Sequence, residues 1–219
     1  MLFDSLRTAS KLTRRVLVSY SGGKDSAATL HLCQKYFDEV RVFYMYLVQG
    51  LSFVERHLAS VEARYQIEVI RVPHFMLSEW LRYGTFRAPD MDVPIVSVRQ
   101  VYDYVREETG IYWVAGGERI SDSYVRRAMI KKSGSIDKSR GRIYPLAAWR
   151  KSHVLDYLKF HKIKCSSESA KLGFSFRSLM PRDMAIIKSV YPGDYETIRS
   201  WFPMVEATVK RHEYFGQAQ

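Results

Sequence analysis

The stretch at residues 16–31, with the sequence VLVSYSGGKDSAATLH, sets the tightest limit on how this chain can fold. It begins with an apolar, β-branched run, which predicts a short buried strand. Two glycines interrupt that run, and the residues from Ala27 onward favour a helix. The order of strand, glycine-rich turn and helix is typical of the first unit of an α/β fold.

The glycine-rich turn has the properties of an anion site. The first turn of a helix has unpaired N–H groups and the positive end of the helix dipole. Gly22 and Gly23 let a phosphate approach the backbone, while Ser21, Lys24 and Ser26 add hydroxyl and ammonium donors. The spacing is neither that of a Walker A loop nor GxGxxG. We therefore predict a phosphate-binding turn, with a plain glycine turn as the alternative.

Strands and helices alternate along the rest of the chain. Strands are predicted at 15–20, 40–47, 67–72 and 111–115, with a fifth from 143. Helices are predicted at 4–13, from the turn to 36, and at 51–65, 76–82, 96–108, 153–161, 181–190 and 195–212, with a flexible basic excursion at 131–142 and an irregular segment at 164–178. This pattern predicts a doubly wound, mostly parallel five-stranded sheet flanked by helices. We assign residues 1–165 to this α/β domain and 166–219 to a helical C-terminal extension packed on it.

The composition limits the cellular location and the binding partners that we expect. The chain has 219 residues, 47% of them hydrophobic, which suffices for one sizeable core. Its net charge of +11 favours a polyanionic partner, either nucleic acid or an acidic protein. We find no apolar run long enough for a bilayer and no signal-peptide pattern, so a cytoplasmic location without membrane contact is expected. Association into a homo-oligomer stays open.

A second segment, residues 117–126 with the sequence GERISDSYVR, lies where ligands of such sheets bind. Ligands of open parallel sheets bind beyond the carboxyl ends of the strands, where we expect residues 19–26, 47–50, 116–126 and 145–149 to meet. Arg119 and Arg126 suit phosphate or sulfate oxygens because a guanidinium donates two parallel hydrogen bonds. The alternative is a solvated basic loop.

These motifs resemble a known superfamily. SGGKDS at residues 21–26 resembles the SGGxDS signature of the PP-loop ATP pyrophosphatases, also called adenine nucleotide alpha hydrolases. Within it, the later segments resemble the phosphoadenosine phosphosulfate (PAPS) reductase branch over roughly residues 14–165. The matching positions are Gly117, Arg119, Ser123 and Arg126, then Pro145, Leu146 and Trp149, and the stretch VLDYL at 154–158.

The resemblance implies an ATP-type ligand and a set of site residues. Lys24, Arg119 and Arg126 are the implied catalytic residues, because phosphoryl chemistry needs charge neutralisation more than covalent help. Asp25 is the implied ligand of Mg²⁺, and it could equally cap the helix that follows. The implied nucleotide-binding residues are Ser19, Ser21, Gly22, Gly23, Lys24, Asp25, Ser26, Gly50, Gly117, Arg119 and Ser123.

The chain departs from the family pattern in three places, and the missing cysteine argues against the family's redox reaction. An acidic residue expected after strand two is absent from Val48-Gln49-Gly50, and the acid expected before Trp149 is Ala148. The tail at residues 213–217, EYFGQ, has no cysteine, although attack on a sulfonate needs a thiolate. With only two cysteines in the chain, we also expect no iron–sulfur cluster.

Three functions remain open at this stage. The first is an ATP pyrophosphatase that adenylates a substrate, such as a nucleobase or nucleic acid, in a modification pathway. The second is a degenerate nucleotide-binding or structural subunit without catalysis, and the third is a sulfonucleotide reductase that uses a partner's thiol. Cysteine-poor, stand-alone relatives of PAPS reductases occur in phages and mobile elements, so the resemblance also implies a partner protein. His57, on the third predicted helix, is expected to be a surface residue.

Overall fold

The computed structural model describes residues 2–165, 176 and 178–215, and contains a single six-stranded sheet within them. The strands are β1 (Arg15–Tyr20), β2 (Glu39–Tyr46), β3 (Val69–Pro73), β4 (Val114–Ala115), β5 (Ile136–Asp137) and β6 (Arg142–Ile143). Their order is β3-β2-β1-β4-β6-β5, and every neighbouring pair is parallel except β5 and β6. The predicted doubly wound, mostly parallel sheet is confirmed. The predicted strand count of five is wrong, because β5 folds back antiparallel on β6.

The strand order reverses at β1. The chain passes outward from β1 through β2 to β3, and then crosses to β4 on the other side of β1. Leu17 and Val18 of β1 pair with Val114 and Ala115 of β4. The segments that follow β1 and β4 therefore diverge at the topological switch point, where α/β sheets bind ligands.

Ten helices occur in the described part of the chain. They are α1 (Asp4–Leu12), α2 (Lys24–Tyr36), α3 (Ser52–Tyr65), α4 (Phe75–Tyr83), α5 (Val98–Thr109), α6 (Tyr124–Ser133), α7 (Lys151–Phe160), α8 (Pro181–Val190), α9 (Pro192–Trp201) and α10 (Val205–Phe215). None of them is long and apolar enough to cross a membrane.

Two of the predicted segments differ from the structure. The predicted excursion at 131–142 instead contains the end of α6 and the β5–β6 hairpin. The single helix predicted at 195–212 is interrupted between α9 and α10 near Pro203, which cannot donate the backbone hydrogen bond that a continuous helix needs. Most of the irregular segment predicted at 164–178 lies outside the described residues.

The apolar strands are buried on both faces, as parallel strands usually are. Val16 and Val18 of β1 face a core shared with α1, α2, α3 and α7, whereas Leu17 faces a second core with α5. Strand residues alternate between faces, so one short apolar run contributes to both cores. The carboxyl end of β1 is thereby fixed between two packed layers.

The C-terminal helices pack on the start of α3. Helices α8 to α10 share a third core with Leu51, Phe53 and Leu77. Buried Asp194 of α9 accepts hydrogen bonds from the backbone N–H and hydroxyl of Ser52 at 2.6 and 2.8 Å, and from the N–H of Phe53 at 3.3 Å. Asp194 therefore caps α3 from another part of the chain and fixes the helix that passes beside the glycine-rich turn.

Candidate functional site

The glycine-rich turn joins β1 to α2 and is held by hydroxyl groups. Gly22 has a φ of +75°, a left-handed conformation that favours glycine. The buried Ser26 hydroxyl donates to the carbonyl of Gly23 at 2.9 Å, and the Ser21 hydroxyl donates to Ser26 at 3.2 Å. No side chain caps α2 at Gly23. Within the described residues, the first N–H groups of α2 are thus left to a ligand, as the phosphate prediction requires.

Asp25 lies between two cations. Its Oδ2 accepts a hydrogen bond from the Lys24 Nζ at 2.5 Å, and its Oδ1 lies 3.3 Å from the Arg119 Nε. Asp25 is already inside α2, since the helix begins at Lys24. The alternative that Asp25 caps this helix is therefore wrong, and the carboxylate instead ties the turn to the arginine segment after β4.

Arg119 is the most buried cation of the site, with only 6% of the residue exposed. Its Nη2 donates to Asp122 Oδ1 at 2.6 Å, and its backbone N–H donates to Asp122 Oδ2 at 3.0 Å. Its buried Nη1 has no hydrogen-bond partner among the described residues. Because a buried donor without a partner is costly, an oxyanion at this point would complete the site.

Asp122 orients the two predicted arginines together. Its Oδ2 also accepts from the Arg126 Nη1 at 2.8 Å, although half of that arginine side chain is exposed. Ser123, a predicted nucleotide contact, caps α6 by accepting from the backbone N–H of Arg126 at 3.2 Å. Sequence reasoning missed the role of Asp122. Its position three residues after Arg119 and four before Arg126 was the available signal.

Gly117 lets the turn after β4 pack directly on the glycine-rich turn. A Cβ at Gly117 would lie 3.0 Å from the backbone carbon of Asp25 and 3.1 Å from its Cβ. Ser19 is half-buried on β1 opposite Phe43, and Gly50 lies in an exposed turn with a φ of +77°. The structure thus brings Gly117 and Arg119 to Asp25, as predicted for that edge of the sheet.

His57 is not the surface residue that the sequence predicted. It is half-buried, and its Nε2 is hydrogen-bonded to the Tyr20 hydroxyl at 2.7 Å. A Cβ at Gly22 would lie 3.5 Å from its ring. Burial raises the pKa of Tyr20. The signal for this contact was weak: His57 lies three residues after Val54 and four before Val61, on the edge of the apolar face of α3.

Two basic residues predicted on the flexible excursion are held by carboxylates. Arg142 is buried on β6, donates to Glu118 at 2.9 Å, and has its guanidinium carbon 4.6 Å from the centre of the Tyr102 ring. Arg140 pairs with buried Asp137 at 2.6 Å. The expectation of a flexible excursion is wrong at these arginines, because Arg142 pairs with half-buried Glu118 and Arg140 with buried Asp137.

The two cysteines differ in their distance from the site. Cys33 is fully buried in α2, and burial raises its pKa. Cys165 is half-buried close enough to the turn that Lys24 and Asp25 affect its titration. Burial raises the pKa of Cys165, Asp25 adds to that rise and Lys24 opposes it. A raised pKa favours the protonated thiol, which is a poorer nucleophile than the thiolate.

The family model for the phosphoadenosine phosphosulfate reductase domain matches residues 15–167, which include the turn and the arginine segment. The chain belongs to the phosphoadenosine phosphosulfate reductase domain family. No curated protein matches the chain. The motifs of this PAPS reductase-domain protein, together with solved structures of the same fold, place it in the PP-loop adenine nucleotide alpha hydrolase superfamily.

Three solved structures are similar to this PAPS reductase-domain protein. A PAPS reductase from Candida auris in a phosphate complex has 18% identity and a TM-score of 0.54, over 81% of this chain and 86% of that chain. An NH3-dependent NAD synthetase from Campylobacter jejuni in complex with nitrate has 16% identity and a TM-score of 0.52, over 98% and 93%. The U34-tRNA thiolase NcsA from Methanococcus maripaludis has 17% identity and a TM-score of 0.48, over 94% and 79%. At these identities the likeness concerns the fold.

One cofactor expectation needs correction. We expected no iron–sulfur cluster, yet the similar thiolase structure contains a [4Fe-4S] cluster, so the exclusion drawn from the sequence is wrong. The cluster is a property of the thiolase. In the described part of the present chain, no group of three or more His, Cys, Asp or Glu side chains is placed to hold a metal ion.

Proposed function

We propose that this PAPS reductase-domain protein binds ATP or a related adenine nucleotide and cleaves it between the α and β phosphates to adenylate an acceptor. The observation that supports this proposal is the buried Arg119 guanidinium. It is ion-paired to Asp25 of the glycine-rich turn and retains an Nη1 without a hydrogen-bond partner among the described residues. A rigid, buried donor beside a phosphate-type turn suits an oxyanion whose charge increases during reaction.

The proposed reaction balances without a redox partner. An acceptor oxygen attacks the α-phosphorus of ATP, and the bond from that phosphorus to the oxygen bridging the β-phosphate breaks. Pyrophosphate leaves with that bonding pair, the acceptor keeps AMP, and its proton passes to solvent. Negative charge increases on the leaving oxygen, where the cations Lys24, Arg119 and Arg126 stabilise it.

The residues present also fit a magnesium ion held with the substrate. Oδ1 of Asp25 is buried without a hydrogen bond among the described residues, although Arg119 lies close to it. Mg²⁺ is usually held by one or two carboxylates together with substrate phosphates, rather than by an all-protein cage. Asp25 would therefore hold the ion, which would add positive charge beside the phosphates.

A second candidate is a nucleotide-binding subunit without catalysis. The observation that favours it is Val48, which stands where the family pattern has an acid and is buried in the core with Leu51 and Phe53. An apolar side chain at that position cannot accept a proton or hold a metal. The two candidates differ only in turnover, so one experiment separates them.

The test is to incubate the pure protein with α-labelled ATP and Mg²⁺, and to measure AMP and pyrophosphate alongside calorimetric binding of ATP. With water as the acceptor, we expect AMP and pyrophosphate from the wild type and from Arg7→Ala, a control on the exposed surface of α1. Arg119→Ala should lose both binding and product. ATP binding without AMP would establish the second candidate, and no ATP binding by the wild type would overturn both.

A further inference from the structure

Helix α6 presents an exposed, strongly basic face beside the candidate site. Its ten residues, YVRRAMIKKS, include four cations and no acid, and Ile130 is its buried residue. With 3.6 residues per turn, Tyr124, Arg127 and Lys131 lie within about 60° of one another on one side of the helix, roughly a quarter-turn from Ile130. Tyr124 is 85% exposed, and the Arg127 guanidinium carbon lies 5.4 Å from the centre of its ring.

The charges of this face are less neutralised than those of the site. Arg126 is paired to Asp122, and Arg140 of the neighbouring hairpin is paired to Asp137. Among the described residues, no acidic side chain forms an ion pair with Lys131, Lys132 or Lys138. Four cations within ten residues of α6, with no acid among them and Lys138 on the neighbouring hairpin, concentrate positive charge that a partner with negative charge would neutralise.

A groove continues this face toward the β5–β6 hairpin. A cavity of about 640 Å³ lies between the end of α6 and the hairpin, and its lining includes Lys132, Lys138 and Arg140. Its size falls within the ~300–1,000 Å³ of ligand-binding clefts. From Tyr124 to Lys131 the helix rises about 10 Å, which about three stacked nucleotides would span.

We infer that the α6 face, defined as Tyr124, Arg127, Lys131, Lys132 and Lys138, binds a single strand of nucleic acid through its phosphates and one stacked base. The identification of this strand as the acceptor of AMP rests on the proposed function. The binding of the strand to the α6 face does not. The face begins directly after Asp122 and Ser123, so a strand held on it would run toward Arg119 and the glycine-rich turn.

The exposed aromatic ring favours nucleic acid over an acidic protein. Proteins that bind single strands combine a basic groove with aromatic side chains on which bases stack. An acidic protein would need the cations alone and would leave Tyr124 without a role. A net charge of +11 adds long-range attraction for either partner and so does not choose between them.

The first test measures the salt dependence of binding. A fluorescent single strand of about 15 nucleotides, as RNA and as DNA, is titrated with the wild type and with Lys131→Gln/Lys132→Gln, without nucleotide. The matched control is Lys11→Gln/Lys159→Gln, which removes the same charge from exposed positions on α1 and α7. We expect the slope of log affinity against log salt to fall by about 1.4 in the α6 variant, from two lost contacts, and to stay unchanged in the control.

The second test separates stacking from charge. Tyr124→Ala should weaken oligonucleotide binding by about 5- to 150-fold with the salt slope unchanged, whereas Tyr124→Phe should retain the affinity. Polyglutamate serves as the acidic-protein probe in the same titrations, and we expect weak binding that ignores Tyr124. Calorimetric ATP affinity should be the same in the lysine and tyrosine variants.

Three outcomes would overturn the inference. They are no oligonucleotide binding by the wild type, equal salt slopes for the α6 variant and its control, and polyglutamate binding as tight as that of the oligonucleotide. None of these results depends on ATP cleavage. A protein that binds the oligonucleotide on α6 but produces no AMP would leave this interface standing and remove only the proposed adenylation.

Discussion

Two groups of cations lie on the same segment of chain in opposite environments. Arg119 is 6% exposed, with carboxylates from Asp25 and Asp122 against its guanidinium. About one helix length later in the chain, Lys131 and Lys132 are exposed and form no ion pair with a described residue. Short contacts with two carboxylates hold the Arg119 guanidinium in one position. The two lysines can attract a charged partner from a distance.

This difference decides what each group can do. A buried cation held by two acids has a defined position, so it can stabilise charge that develops at one atom. Exposed lysines interact through solvent, and salt screens them over about 8–10 Å. The site and the α6 face should therefore respond differently to mutation, salt and pH.

The largest effect is expected from Arg119→Ala. Removal of this side chain should weaken ATP binding by about 2–5 kcal/mol, because a desolvated charge partner is lost and Asp25 and Asp122 lose the cation that they share. The measurement is calorimetric titration with ATP at low and moderate salt. The loss should be nearly independent of salt, since the guanidinium is shielded from solvent.

Arg126→Ala is the matched control for that prediction. It removes an arginine bonded to the same Asp122, but one whose side chain is 49% exposed. We expect at most about 1 kcal/mol, as for other exposed ion pairs. Equal losses for the two variants would show that burial does not distinguish Arg119, and the contrast between the two groups of cations would then fail.

The next effect concerns the contact between the two turns. Gly117→Val should weaken ATP binding by about 1–3 kcal/mol, because its side chain would push against the backbone of Asp25 and displace the turn. Calorimetry with ATP measures this loss. Gly193→Val is the control, since a Cβ there meets nothing within 4 Å. ATP affinity unchanged by Gly117→Val would mean that the turn does not hold the nucleotide where we place it.

The sequence predicted those features that arise from neighbouring residues. The doubly wound sheet followed from alternating strands and helices, and the glycine-rich turn followed from its six adjacent residues. The placement of Arg119 at the edge beside Asp25 also followed, since both segments come directly after adjacent parallel strands. The nucleotide-binding and catalytic roles of these residues remain predictions.

Features that depend on distant residues could not be predicted in the same way. Asp194 caps α3 across 142 residues of sequence, and Tyr20 meets His57 across 37. No local pattern encodes either pair, because each depends on how complete helices pack. Arg142 shows the same limit: the residues that precede it in sequence are polar, but the fold buries it against Glu118 and two tyrosines.

His31 is half-buried, so its exposure to solvent lies between that of Arg119 and that of the lysines on α6. Burial first, and then Lys35, His161 and Arg64, lower the pKa of His31 from 6.5 to about 4. The unfolded chain therefore binds a proton in this pH window that the folded chain does not. The free energy of unfolding should fall by about 1 kcal/mol as pH drops from 6.5 toward 4, since solvent screens part of the effect.

Urea unfolding of the wild type and of His31→Gln, each at pH 7 and pH 5, measures this dependence. The variant should lose part of the pH dependence of its unfolding free energy. A smaller part should remain from His161, because burial lowers the pKa of that residue too. His212→Gln, on the exposed surface of α10, is the control and should behave as the wild type. An unaltered pH dependence in His31→Gln would show that the ring is not desolvated in the folded state.

The smallest effect is expected from Cys165→Ser. This variant tests whether ATP binding and cleavage depend on charged groups alone and need no thiol. Cys165 is half-buried near Lys24 and Asp25, and burial raises the pKa of its thiol. At neutral pH the group is therefore a thiol and not the thiolate that attack on a sulfonate requires. A serine hydroxyl of similar size should leave ATP affinity and AMP formation within about twofold of the wild type.

Cys33→Ser, in the core, serves as the stability control and should lower only the melting temperature. Loss of activity in Cys165→Ser with the melting temperature retained would replace the charge-based reaction with a thiol mechanism.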